Sequence, residues 1–379
     1  MSSGTGQSSP ASPASRSRSP DSNRSVASLP LGDRGTGSPA DAQGGLPAFL
    51  RTTRAEIQAK FHDLDLLQAD RLNQSKEDPD PASPWAQDKS PEARARDRYA
   101  NVQPWANRRI RLRVPEGRCD YINASPIMLC GSKTGQTKQY IATQGPKEAH
   151  HVWHMIWHET SEVAVVVMLT QTHEAGREKC FQYFPADLDS EPMQVEDHEV
   201  FSEDFKGTLK LLDIYEDAAS RTTVRQLALS VGEETKTVWH LLFSGWPDFG
   251  VPEGEDRQAL LELLKLSKDK NASPENPLIV HCSAGVGRTG TFITLDHLLE
   301  EIEEGALDDA PDSVDPVLDT VNHLREQRPA MVQTDGQFAF IYSMLKAKWI
   351  TKHSGTLISK GLMMLRGTTL GAMIENFFD

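Results

Sequence analysis

Cysteine is scarce in this 379-residue chain: Cys119, Cys130, Cys180 and Cys282 are the only four, widely spaced and with no CxxC pair among them. That spacing speaks against a disulfide scaffold or a zinc ribbon and fits a reducing compartment, cytoplasmic or nuclear. Long apolar runs are missing too. No stretch of 18 apolar residues occurs, so no membrane span is expected, and the start lacks the apolar segment of a secretory signal. Positive charge is in deficit: 40 Lys and Arg stand against 54 Asp and Glu, a formal net charge of −14. A chain this acidic is repelled by nucleic acid and by anionic lipid unless a local basic site intervenes. What the chain does have is 38% apolar and 25% charged residues, enough to bury a sizeable core. Its length allows one large domain plus an extension, or two ordinary domains.

Composition varies along the chain. Residues 1–40 hold 12 Ser, 5 Pro and 5 Gly, too little apolar area to offset the entropy of ordering, so 1–46 reads as a disordered extension. Ser9, Ser12, Ser19 and Ser38 each precede a proline and fit either phosphorylation sites or a plain solvated tail. The acid-poor start, with Arg16 and Arg18, faintly resembles a transit peptide, but its prolines argue against one. A catalytic domain is expected over 47–352. Residues 353–379 form a tail without an assigned role, too polar for a membrane anchor because Lys360 and Arg366 interrupt it.

Phe49, Ile57, Phe61, Leu64 and Leu67 recur at roughly helical spacing behind Pro47. Residues 75–95 are polar and Pro-rich, a loop or linker. Residues 163–169 read as a buried strand, 224–231 and 237–243 as further strands, and 255–268 as an amphipathic helix. A short buried strand at 277–280 precedes a helix at 291–304, and the acidic stretch 300–319 reads as a solvated helix end and loop. Irregular alternation of strands and helices predicts an α/β fold, a twisted mixed sheet flanked by helices.

The segment His281-Cys282-Ser283-Ala284-Gly285-Val286-Gly287-Arg288-Thr289-Gly290 follows the last of these strands and opens a helix. Small residues there let successive backbone N–H groups point inward as an anion cradle, and a helix N-terminus adds partial positive charge. A cysteine, Cys282, opens the cradle, and such a field beside an arginine favours a thiolate. Arg288 offers a planar fork matched to two phosphate oxygens. Together they describe a phosphate ester held for attack at phosphorus. The same residues fit two other assignments. Gly285-x-Gly287-x-x-Gly290 matches the dinucleotide fingerprint, with Asp308 and Asp309 about 20 residues on. A lone cysteine is also most often a small buried hydrophobe. A Walker A loop is excluded because no Lys follows Gly290.

Other segments decide between them. Trp246-Pro247-Asp248-Phe249-Gly250-Val251-Pro252, Arg98-Tyr99 with Asn101-Val102, Asp120-Tyr121-Ile122-Asn123-Ala124-Ser125 and Tyr140-Ile141-Ala142-Thr143-Gln144-Gly145-Pro146 occur in order, as do Leu324-Arg325-Glu326-Gln327-Arg328, Met331-Val332-Gln333-Thr334 and Gln337-Phe338. With His281 to Thr289, this set resembles the signatures of the cysteine-dependent protein tyrosine phosphatases, of the non-receptor, tyrosine-specific type. The compact domain behind a short Ser-rich extension resembles several fungal phosphatases.

That resemblance implies the protein tyrosine phosphatase fold and hydrolysis of phosphotyrosine in partner proteins, without metal or cofactor. Cys282 would attack phosphorus and form a cysteinyl-phosphate. Asp248 would be the general acid, then the base, on a mobile loop framed by Trp246 and Pro252, with Phe249 against the substrate. Gln333, helped by Gln337, would aim the water. His281 would tune the thiolate, Thr289 would donate a hydrogen bond to the sulfur, and Glu174 would orient Arg288. Ser283, Ala284, Gly285, Val286 and Gly287 would line the phosphate. Tyr99 would stack on the substrate ring and set a depth that phosphoserine does not reach, and Asn101 would hold the substrate backbone. Asp97 stands where the family usually has Asn, and the local geometry is expected to survive.

Two rivals carry different functions. One is a non-catalytic phosphotyrosine-binding module on the same fold. The other is a phosphoinositide phosphatase, which tends to place lysines in the cradle, whereas Ser283, Ala284 and Val286 are uncharged. His150, His154 and His158 fall at i, i+4 and i+8 and could bind a metal. No HExxH pattern accompanies them, and Trp153-His154-Met155-Ile156-Trp157 resembles a structural helix of the family, so no metal site is expected.

Overall fold

Residues Val163–Met168 form a strand buried on both faces. Val165 and Val167 pack into one core, and Ala164, Val166 and Met168 pack into another on the opposite side. A strand covered on both sides has no solvent face to alternate with, which is why this run is apolar throughout. The computed structural model describes residues 45–77, 80–197, 200–201, 205–247 and 250–361, with side chains to 354.

In chain order, the elements are α1 (Arg54–Glu77), α2 (Pro91–Arg96), β1 (Ala124–Cys130), β2 (Thr137–Thr143), α3 (Ala149–Glu159), β3 (Val163–Met168), β4 (His173–Glu174), β5 (Arg177–Glu178) and β6 (Met193–Val195). They continue as β7 (Gly207–Asp217), β8 (Thr222–Val231), β9 (Glu234–Phe243), α4 (Glu255–Lys270), β10 (Leu278–His281), α5 (Gly287–Glu303), α6 (Pro316–Gln327) and α7 (Asp335–Gly361). The main sheet runs β1-β2-β10-β3-β9-β8-β7-β6, with β4 and β5 pairing as a separate ribbon. Its centre, β2-β10-β3-β9, is parallel, and both flanks are antiparallel. This is the expected mixed sheet flanked by helices. In such sheets, ligands bind outside the carboxyl ends of the parallel strands. The central β10 ends at His281, so its exit loop lies where that rule places a site.

Several boundaries differ from the sequence reading. Pro47 opens a 3-10 turn, Ala48–Arg51, and the helix starts only at Arg54. Leu67 is 46% exposed, whereas Gln68 and Arg71 are buried: Gln68 Oε1 accepts from Ala330 N, and Arg71 donates to Asn322. Polar partners on α6 and in the segment after it therefore override the apolar spacing. The expected linker begins inside α1 and contains α2, which Ser90 caps by accepting from Ala93 N with Pro91 in the first turn. Helix α5 starts at Gly287 rather than 291. The acidic stretch is not all solvated. Glu301 is buried and accepts from Ser132 N at 3.0 Å, and Asp315 caps α6 while accepting from Lys60 and Tyr342. Helix α7 continues to Gly361, past the expected boundary at 352. The proposed disordered extension falls almost wholly in 1–44, and most of the tail in 362–379, both outside the described residues. Among the described residues, no helix is long and apolar enough to cross a membrane.

Candidate active site

The turn after β10 depends on one glycine. Gly285 has φ +68°, and a Cβ there would lie 2.1 Å from the carbonyl oxygen of Thr143 on β2. Only glycine fits both the conformation and the approach. The turn folds back on Cys282, which is 5% exposed, and Gly285 N donates to its Sγ at 3.2 Å. Gly145 N fixes the near wall by donating to Ser283 O at 2.9 Å. Val286 precedes the first turn of α5, so the helix N-terminus points at the loop that begins with the thiol.

Arg288, on that first turn, is held by a carboxylate fork. Its Nη1 donates to Glu174 Oε1 at 2.7 Å and its Nη2 to Glu174 Oε2 at 2.9 Å, while Leu169 O accepts from Nη1 at 2.8 Å. Burial pushes the Glu174 carboxyl up, but the Arg288 guanidinium and bonds from Gln171 and Thr170 outweigh it, and the net displacement is downward. Arg288 Nη2 also donates to Pro247 O at 3.2 Å, and Trp246 Nε1 to Gly250 O at 3.0 Å, which ties together the two ends of the 246–250 loop. Asp248 and Phe249, between them, lie outside the described residues.

On the rim, the Tyr99 hydroxyl is 2.8 Å from Ser283 Oγ, which donates to Lys179 O. Asn101 is exposed two residues on. Over the start of α5, a Cβ on Gly287 would meet Gln337 Nε2 at 3.0 Å and Gln333 Oε1 at 3.2 Å, so both amides reach the cradle. Gln333 N donates to Gln337 Oε1, and the segment carrying them turns through Ala330 and Val332 at φ 61° and 58°. Positive φ is costly for a β-branched residue. Arg325 holds it by donating to Met331 O and Val332 O.

One expected contact is not formed in this geometry, and another residue reaches the cysteine only through the backbone. His281 does not face the cradle: its Nε2 meets the Tyr183 hydroxyl at 2.7 Å, which in turn is 3.0 Å from His240 Nε2, and it touches the cysteine only through Cys282 O. His281 ends β10 with its ring against Tyr183 in one core, whereas Cys282, just past the strand, packs into the other. Burial lowers the His281 imidazole to about 4. Thr289 Oγ1 is buried with no hydrogen-bond partner, so the expected bond to the sulfur is not formed.

Three residues given no site role in the sequence reading build the site from behind. Arg328 is fully buried. It donates to Gly285 O, Ala284 O, Asn123 Oδ1 and Ser125 Oγ, and burial draws it down to about 10. Arg98 donates to Gly145 O and Pro146 O, clamping the Tyr99 loop. Asp97 accepts from the Tyr121 hydroxyl, Asn123 Nδ2 and Gln103 Nε2, three donors that satisfy its carboxylate. Arg98 and Arg328 lie inside the motifs above and Asp97 directly before one, but nothing in local spacing shows which groups they reach.

The row His150, His154, His158 does not close on one point: His154 and His158 pack with ring centroids 4.4 Å apart, while His150 turns to Glu148 and Asp197. His154 stacks on Phe201 with ring centroids 4.1 Å apart and packs edge-on to Phe205.

Residues 93–347 match the family model described as Protein-tyrosine phosphatase. The chain belongs to the protein-tyrosine phosphatase family. It is similar to the phosphatidylinositol phosphatase PTPRQ of rat, 36% identical over 258 residues, and to that of human, 36% over 260. Each match covers 66% of this chain and 10% of the relative, so the chain spans about a tenth of the length of these curated relatives. Among solved structures, the catalytic domain of human protein tyrosine phosphatase non-receptor type 18 aligns at TM-score 0.63 and 28% identity, covering 80% of this chain and 99% of that one. PTPN18 in complex with HER2-pY1196 phosphor-peptides aligns at 0.65 and 27%, covering 82% and 96%. The fold is therefore the protein tyrosine phosphatase fold, and the match supports phosphatase activity in general. These relatives carry nothing that bears on the fungal likeness.

Proposed function

We propose that this phosphatase domain hydrolyses phosphotyrosine in proteins through a cysteinyl-phosphate intermediate. One observation carries the assignment: the Cys282 thiol opens a glycine-turned loop beside an arginine that Glu174 forks from behind. The Cys282 sulfur attacks phosphorus as the bond to the tyrosyl oxygen breaks, and Asp248 gives that oxygen its proton. A water aimed by Gln333 and Gln337 then attacks phosphorus, the S–P bond breaks, and Asp248 takes the water's proton. The thiolate supplies the nucleophile itself, so this chemistry needs no metal. Four unpaired thiols support a reducing compartment, cytoplasmic or nuclear.

The relatives named for phosphatidylinositol favour a second substrate class. Against it, Ser283, Ala284 and Val286 bring no charge to meet extra phosphates, and Tyr99, held against Ser283, offers an aromatic side chain on which a phosphotyrosine ring would stack. The test compares kcat/KM for phosphotyrosyl peptides, phosphoseryl peptides and water-soluble phosphoinositides in EDTA, with Cys282→Ser as control. Phosphotyrosine preference with no turnover by the variant is expected. Higher kcat/KM on phosphoinositides, or turnover that survives Cys282→Ser, would overturn the assignment.

A further inference from the structure

Behind the Tyr99 loop, away from the thiol, a cavity of about 320 Å³ opens beside the start of α3, with Arg96, Tyr121, Lys147, Glu148, His151 and Asp197 in its walls. Glu148, His150 and His151 converge there, their ligating atoms all within 4.8 Å of one another. His150 Nε2 lies 3.0 Å from Glu148 Oε2 and 3.1 Å from Asp197 Oδ2, and His151 Nδ1 lies 3.9 Å from the same Glu148 oxygen. We propose that Glu148, His150 and His151 form a binding site for a divalent transition metal of the zinc class, separate from the catalytic cradle, with Asp197 as a neighbouring carboxylate beside His150.

Three observations carry it. The first is spacing. Bonds of 2.0–2.2 Å to a tetrahedral metal put neighbouring ligand atoms about 3.3–3.6 Å apart, and the observed separations from Glu148 Oε2, 3.0 Å to His150 Nε2 and 3.9 Å to His151 Nδ1, straddle that range. The second is dissatisfaction. His150 Nε2 is buried close to two carboxylates yet makes no aligned hydrogen bond with either. A metal takes the lone pair of such a nitrogen and lets the oxygens approach from other directions. The third is charge and access. Two carboxylates balance a divalent cation and offset the partial positive charge of the α3 N-terminus. The cations on the same wall are engaged with backbone carbonyls: Arg96 donates to Cys119 O and Tyr121 O, and Lys147 to Ala95 O and Asp97 O. The cavity gives the ion a way in from solvent.

Two imidazoles with one carboxylate, completed by water, suit zinc and also cobalt, which reports its geometry in visible absorption. The full chain carrying Cys282→Ser, which removes the reactive thiol as a competing ligand, is titrated with Co²⁺ and Zn²⁺. One equivalent of cobalt should bind with tetrahedral d–d bands, zinc should displace it, and zinc should raise the melting temperature. Losing an outer partner of a ligand costs 10–100-fold in affinity, so losing a ligand should cost at least about 100-fold. That loss is expected both in His150→Ala/His151→Ala and in Glu148→Gln. The latter is near-isosteric on a side chain 58% exposed, so it tests the site even if the histidine variant fails to fold. No saturable binding, or affinity unchanged in Glu148→Gln, would show instead that His150 is only an ion-pair partner of the two carboxylates.

Discussion

Arg328 Nε donates to the carbonyl oxygen of Gly285 at 2.9 Å, across 43 residues of chain. In a trans peptide, the C=O and the following N–H point in opposite directions. Pulling the Gly285 oxygen outward therefore aims the Val286 N–H inward, and the longer Arg328 bond to Ala284 O does the same for Gly285 N–H, which meets the sulfur. The cradle is shaped by a guanidinium that is itself fully buried.

Arg328→Lys should therefore harm both stability and catalysis. A lysine is a point donor and cannot serve four acceptors in a fixed plane. Leaving buried carbonyls and Asn123 Oδ1 unpaired should cost about 2–4 kcal/mol in urea unfolding, with a fall in kcat. Unaltered unfolding and kinetics would show that the loop holds its shape without it.

His281 predicts a pH dependence of stability. Its folded value, about 4, lies below the ordinary 6.5, so the unfolded chain binds the extra proton. Its contribution is complete above pH 6.5, falls away as pH drops toward 4, and is worth about 3 kcal/mol at most. His281→Asn should flatten the slope of unfolding free energy between those pH values. The lowered His240 leaves a remainder, so the slope should shrink rather than vanish.

For the acid, Asp248→Ala should lower kcat by ~10²–10⁴-fold at weakly acidic pH while phosphopeptide affinity holds. The loss should shrink for aryl phosphates whose leaving group needs no proton. An equal loss for every leaving group would point to a different acid.

Peroxide should reach Cys282 before Cys180. Burial pushes the Cys180 thiol up to about 12, which leaves it almost wholly protonated at neutral pH. Thiol labelling after brief peroxide treatment, read by peptide mapping, should show Cys282 modified first and protected by vanadate. Oxidation first at Cys119, Cys130 or Cys180, or no protection, would argue against a reactive thiolate in the cradle.

The sequence made some of this legible and hid the rest for physical reasons. Residues 163–169 and 277–280 announce themselves because strands buried on two faces must be apolar. The loop from Cys282 to Arg288 is legible because an anion cradle needs small residues in succession. Helix α2 reads as linker because a short polar helix is specified by its cap, not its apolar pattern. Arg328 carries no local sign of its acceptors, since Gly285 and Asn123 meet it only in the folded chain. The same holds for Glu148 and Asp197, brought to one point by α3 and the segment after β6. His281 stands next to the nucleophile in sequence, yet its ring turns to Tyr183 and meets the cysteine only at Cys282 O, a path that spacing does not show.

The strand order has a consequence for the order of synthesis. β10 sits between β2 and β3, yet is made more than a hundred residues after either. At 5–20 residues per second, the nascent chain carries two unpaired strand edges at its centre for on the order of ten seconds. During that interval it is exposed to mispairing and depends on whatever shields it at the ribosome. Any chain cut short before residue 278 would keep that open seam for good, inactive and prone to join another of its kind.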